Sequence, residues 1–122
     1  MNDLDAMRRF YADVIGLHQL RRFPHAIFFG IAESHGGHTQ VLALFDRSQA
    51  TPGLVVSAER STIDHIAFAI DLDDYDDEKA RLEELGLEVE TAEHAWVGWR
   101  SLYVRDPEGN LVELVCYDGS LK

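Results

Sequence analysis

Apolar residues recur along this chain with two different spacings, and the alternation between them outlines the secondary structure. Across 3–15 the apolar positions Leu4, Met7, Phe10/Tyr11 and Val14/Ile15 fall three or four apart, which predicts an amphipathic helix. Asp3 or Asp5 stands near its cap position, and Gly16 ends it. Stretches 18–23 and 25–32 are predicted strands joined by a turn at Pro24, and 34–37 is a second turn leading into a strand at 38–45. Residues 47–60, with Pro52-Gly53 and small polar side chains, are predicted to be a linker. Strand 62–70, helix 72–85 ended by Gly86, and strands 87–92, 98–105 and 111–117 complete the prediction.

This order repeats. Asp3-Leu4-Asp5 opens the first helix and Asp71-Leu72-Asp73 the second, while Gly16-Leu17 and Gly86-Leu87 follow them. The segment from Gly37 to Asp46 likewise echoes that from Gly109 to Asp118. The second unit reads βαβββ. The first reads the same without its opening strand, since Met1 and Asn2 alone precede the Asp-Leu-Asp. A single α+β domain is expected over 1–122, with modules at 1–46 and 61–122. The paired modules should form a curved mixed sheet around a pocket, with the first strand of module 1 missing.

Bulk properties narrow the function classes. At 122 residues the chain suits one domain, and no apolar run approaches a membrane span. One cysteine, Cys116, excludes an internal disulfide, fits the cytoplasm, and in the last strand is expected to be a core thiol. A net charge of −11 argues against nucleic acid and is mildly favourable for metal cations or cationic small molecules. Six of the eight residues 71–78 are acidic, but they open a helix, where negative charge complements the dipole.

Two residues stand out as chemistry. Glu113 sits among Leu111, Val112, Leu114 and Val115, where a carboxylate is costly to bury without an Arg, a shared proton or a metal to meet it. In strand 62–70, Ile66, Phe68 and Ile70 point one way, and Ile63, His65, Ala67 and Ala69 the other. A histidine in such a place is ordinarily a satisfied core residue. The repeat raises an alternative. If the first and last strands of the second unit lie side by side, His65 and Glu113 face one space, and both are competent ligands for Fe, Mn, Ni or Zn.

The segments Asp64-His-Ile-Ala-Phe68, Ser101-Leu-Tyr-Val-Arg-Asp-Pro-Glu-Gly-Asn-Leu-Val-Glu113 and Phe10-Tyr-Ala-Asp-Val-Ile-Gly-Leu17 together resemble the vicinal-oxygen-chelate superfamily. Glyoxalases, extradiol ring-cleaving dioxygenases, fosfomycin-modifying enzymes and bleomycin-binding proteins share that fold. The resemblance implies that His65 and Glu113 hold a divalent metal ion, and that Tyr103 assists the substrate oxyanion. Trp96, Trp99 and Arg100 are candidate substrate contacts at a pocket mouth, although core packing or an exposed aromatic pair explains them equally well. A further ligand in metal-dependent members lies on the strand that this first unit lacks. Aligning Asp46 with Asp118 puts Val41, not a carboxylate, opposite Glu113, and Gln40 and His38 belong to the other face. The metal site of this chain alone is therefore expected to be incomplete. An N-terminally shortened sequence is the favoured explanation; a donor from a partner chain or a metal-free pocket are the others.

The function expected is a divalent-metal-dependent lyase or extradiol-type dioxygenase. It would act on a small molecule chelated through vicinal oxygens, in a cytoplasmic homodimer. The alternative is a metal-free protein of the bleomycin-resistance type that sequesters a cationic ligand.

Overall fold

The computed structural model describes residues 3–35, 38–46 and 65–121. The chain divides into two compact units, Met1–Ala58 and Glu59–Lys122. Each sets helical turns against one face of a sheet. The expected linker lies outside the described residues, as do Thr62, Ile63 and Asp64 of the predicted fourth strand.

In the first unit, α1 (Leu4–Arg9) starts where Asp3 Oδ1 accepts the Ala6 N–H at 2.9 Å. Asp5 in its first turn and Arg8 and Arg9 in its last complement the helix dipole. The predicted continuous helix is not uniform. Over Phe10–Val14 it widens into a π-helical turn, with Ile15 N–H donating to Phe10 O at 3.0 Å. The wider turn lets two successive rings, Phe10 and Tyr11, both be buried, edge to face at 5.1 Å.

Strands β1 (His18–Phe23), β2 (Ala26–His35) and β3 (His38–Phe45) form an antiparallel sheet in that order. β2 runs three residues past its expected end, where His35 pairs with His38. Ile27, Phe29 and Leu44 share one face and are buried. Tyr11 lies 6.4 Å from Phe29, and Arg22 bridges to Asp5 at 2.8 Å, so this face receives the helix. The register shifts between Gln19 and Arg21, and twice along β2–β3. Among the described residues no strand pairs with the outer edge of β3.

The second unit is a mixed four-stranded sheet in the order β4-β7-β6-β5. β4 (His65–Ala69) pairs in parallel with β7 (Leu111–Tyr117). β6 (Trp99–Arg105) pairs antiparallel with both β7 and β5 (Glu90–His94). No register shift interrupts these ladders. The helix between β4 and β5 starts with a 3₁₀ turn, Leu72–Asp74, and continues as α2, Tyr75–Glu84. Its C-terminal carbonyls are met by Gly86 N–H and Leu87 N–H. That cap occupies the start of the predicted 87–92 strand, which explains why β5 begins later and runs to His94.

Leu102, Val104, Val112, Leu114 and Cys116 are buried on one face of this sheet, with Tyr75 and Leu82 of α2. Each fully buried aliphatic side chain contributes about 1.5–3 kcal/mol. Burial raises the Cys116 thiol above its ordinary range, so it is an inert core group, as its position suggested. The turn before β7 is held by Asp106, whose Oδ1 accepts the N–H groups of Glu108 and Asn110, both at 2.9 Å. Its Oδ2 accepts from Asn110 Nδ2 at 2.8 Å. The Asp-Pro-Glu-Gly-Asn stretch is thus a structural turn that sets where β7 begins. The fold is α+β, with two sheets, and among the described residues neither closes into a barrel.

Candidate metal centre

The site builds on the face of the second sheet that α2 does not cover. Strand alternation puts His65, Ala67 and Ala69 there, all exposed, while Ile66, Phe68 and Ile70 are half-buried on the other side. Across the parallel ladder Ala67 pairs with Glu113, and across the antiparallel ladder Glu113 pairs with Tyr103. His65, one pleat away, reaches diagonally over the small Ala67. Its Nε2 lies 3.0 Å from Glu113 Oε1.

Glu113 is only 6% exposed, so its charge must be compensated within the fold. Its other oxygen, Oε2, accepts a hydrogen bond of 2.5 Å from Ser101 Oγ, a fully buried hydroxyl on β6. Tyr103 stands beside this pair, with its ring 6.3 Å from that of His65. Its hydroxyl lies 3.3 Å from His94 Nε2 at the end of β5. One sheet face therefore gathers two histidines, a carboxylate, a phenol and a serine.

The expected pairing of His65 with Glu113 is present, and Tyr103 joins it. The other candidates divide. Trp99 alternates onto the same face, in one row with His94 and Tyr117. Trp96 projects from the β5–β6 turn, 84% exposed, with its ring 6.4 Å from that of Trp99. Arg100 lies on the opposite, helix-covered face. Its guanidinium is 5.6 Å from the centre of the Tyr75 ring, 3.1 Å from Asp118 and 3.5 Å from Glu93. The Arg100 Nε–H is not aligned for a hydrogen bond with Asp118, so that contact is an ion pair. Asp118 is held below the usual carboxylate range, first by the hydroxyl and N–H of Ser120 and then by Arg100.

Sequence reasoning overlooked Ser101 and His94. The signal for Ser101 was available, because it alternates with Tyr103 onto the face of Glu113. That for His94 was not, since it depends on how far β5 extends.

A divalent ion suits these donors in type. The 3.0 Å between His65 Nε2 and Glu113 Oε1 is hydrogen-bond distance, and both atoms are of a type that ligates such an ion. Ion binding would replace the proton shared between them. The count is short, however. Among the described residues no group of three or more His, Cys, Asp or Glu could hold a metal. These residues thus fit as two neighbouring positions of a larger ligand set.

The described elements run αβββ in the first unit and βαβββ in the second, with His65 and Glu113 on adjacent strands of one open sheet face. The sequence model of the glyoxalase/bleomycin resistance protein/dioxygenase superfamily matches residues 1–114, and the chain belongs to that superfamily. It is similar to biphenyl-2,3-diol 1,2-dioxygenase 3 of Rhodococcus globerulus, 35% identical over 120 residues. That match takes in 93% of this chain but spans just 57% of the relative's length. The structure is similar to that of a lactoylglutathione lyase from Agrobacterium tumefaciens (TM-score 0.64, 31% identity), over 95% of this chain and 86% of the other. A glyoxalase-related enzyme from Fulvimarina pelagi matches with a TM-score of 0.72 and 25% identity, over 95% and 81% of the two chains. No helix among the described residues is long and apolar enough to cross a membrane.

Proposed function

We propose that this chain is a divalent-metal-dependent enzyme that holds a small molecule through two neighbouring oxygens. Within that class we favour a ring-cleaving dioxygenase acting on vicinal aromatic diols. The observation that carries the reading is the His65–Glu113 pair at 3.0 Å, on adjacent strands with a phenol beside it. His65 and Glu113 would hold the ion, with the remaining donor from outside the described side chains. When bound, the ion supplies Lewis acidity toward the substrate's vicinal oxygens. Tyr103 is placed to donate a hydrogen bond to the oxygen on which charge develops, and His94 orients its hydroxyl. Trp99, on the same face, offers an aromatic wall to a planar ligand.

Similarity to the R. globerulus dioxygenase supports the diol reading. A lactoylglutathione lyase is also a relative, but in the repeat the counterpart of Glu113 is Val41, which gives a lyase no second carboxylate there. We place the protein in the cytoplasm as a homodimer, in keeping with its single thiol and its family. The test is metal content and oxygen uptake after anaerobic reconstitution with Fe(II), using biphenyl-2,3-diol as substrate. The reading expects about one metal per chain and oxygen consumed with ring opening, both lost in His65→Ala. α-Hydroxythioacetal substrates test the lyase reading in parallel.

A second reading is a metal-free sequestering protein, favoured by the fact that His65 and Glu113 already satisfy each other without an ion. Protein that retains no Fe(II), Mn(II), Ni(II) or Zn(II) after reconstitution would establish it over the first.

A further inference from the structure

We infer that Ser101 is a positioning residue for Glu113, holding one carboxylate oxygen so that the other alone is presented beside His65. The inference rests on the metal reading above and names a group that this reading does not include.

Three observations support it. Ser101 is 0% exposed, so its hydroxyl must find its partner inside the protein. A hydroxyl has a single proton to donate, and Ser101 directs it at Glu113 Oε2 over 2.5 Å, within the range of charge-assisted O–H···O⁻ bonds. The backbone of Ser101 is itself anchored from the far side of the sheet, where its carbonyl accepts from Tyr75 Oη of α2 at 3.3 Å. The serine is therefore fixed at both ends: its peptide to the helix, its side chain to the carboxylate.

The chemical consequence follows from the geometry. A free glutamate can bind an ion through one oxygen or through both, and can rotate between these modes. With Oε2 engaged by Ser101, the carboxylate plane is set and Oε1 lies next to His65 Nε2. Glu113 would then offer a bound ion one oxygen, Oε1, rather than two.

The experiment titrates the full chain with Co(II) alone, followed by its visible absorption, in wild type, Ser101→Ala, Ser101→Thr and His65→Ala. Crystal structures of metal-free wild type and Ser101→Ala accompany it. Loss of an outer hydrogen bond to a ligand costs about 10–100-fold in metal affinity. Ser101→Ala is expected to weaken Co(II) binding by that factor, to alter the absorption bands and to turn the Glu113 carboxylate from its place beside His65. Ser101→Thr, which keeps the hydroxyl, should restore affinity and spectrum, so that a mere loss of packing is separated from a loss of the hydrogen bond. A Ser101→Ala protein that binds Co(II) as tightly as wild type, with Glu113 unmoved, overturns the inference and leaves the metal reading standing. Wild-type protein that takes up no Co(II) overturns the metal reading and this inference together. The two failures are told apart by whether wild type binds.

Discussion

Both units cover one face of a sheet with helical turns, yet they present different chemistry on the face left over. In the second unit that face carries His65, His94, Ser101, Tyr103 and Glu113. In the first, the face that corresponds by the repeat carries Val41, Ala43 and Phe45, with Phe28 and Phe23 stacked edge to face at 5.9 and 6.0 Å. Arg21 lies over Phe23 at 4.7 Å. Charge divides the same way. Residues 1–58 hold five acidic and five basic side chains, whereas 59–122 hold seventeen and six, so the whole net charge of −11 belongs to the second unit.

Sheet construction differs too. Among the described residues the first sheet has three strands and three register shifts, and the second has four strands and none. In the second, β7 is paired on both sides, and this central strand bears Glu113. A strand fixed along both edges holds the Glu113 carboxylate more firmly in place than an edge strand would. The lesson is that one repeat can supply an aromatic surface in one copy and a polar site in the other. The change requires few residues, because the backbone geometry is already present.

Exchanging residues between the units is the strongest way to break this comparison. Glu113→Val, which imports the residue at Val41, should abolish metal uptake completely as measured by metal analysis. The reciprocal Val41→Glu should gain none, because its row holds Gly30 beside it and His18 only a strand further away, with no serine among the described residues of that row; uptake of a second ion would show that the open faces are interchangeable.

Core truncations rank next. Leu82→Ala should cost about 2–5 kcal/mol and Phe29→Ala about 3–5 kcal/mol in denaturant unfolding, since both side chains are fully buried. A loss below about 1 kcal/mol at either site would mean that the helix of that unit is not packed as described.

Amide hydrogen exchange sharpens the contrast between the sheets. The amides of β7 should exchange more slowly than those of β3, which has a single strand partner among the described residues. Equal rates would show that the edge of β3 is covered by something else.

The smallest effect concerns acid. Asp118 titrates below its ordinary value of 3.8 in the folded protein, so its contribution is complete above that value. It is lost as pH falls through the lower folded value. Comparing wild type with Asp118→Asn across pH 2–6 should therefore show a stability gap that narrows on acidification. A gap independent of pH would mean that the Ser120 and Arg100 contacts do not act on the charge.

The order of elements was legible in the chain because each is encoded by local spacing: the three-four pattern of Leu4, Met7 and Phe10, the alternation of 65–70, and the glycines after each helix. The repeat also showed that His65 and Glu113 would share a face, since strand order follows from it and alternation sets direction. Element ends were less legible. Whether 87–89 belongs to a strand depends on the helix cap that uses Leu87, and the π-helical turn at Phe10–Val14 answers a packing demand for two adjacent rings.

The side of the sheet that Arg100 takes shows the limit of local reading. Arg100 was grouped with Trp99 by nearness in sequence, but adjacent residues on a strand point to opposite faces. On the helix side Arg100 meets Glu93 of the neighbouring strand, and Tyr75 and Asp118 from farther along the chain. Ser101 and His94 belong to the site for the same reason in reverse. Local patterning in the chain thus carried the α+β repeat, the superfamily and the placing of His65 and Glu113 on one face. The face taken by Ser101 followed from alternation, but its hydrogen bond to Glu113, and the contact of His94 with Tyr103, depend on where three neighbouring strands bring their side chains together.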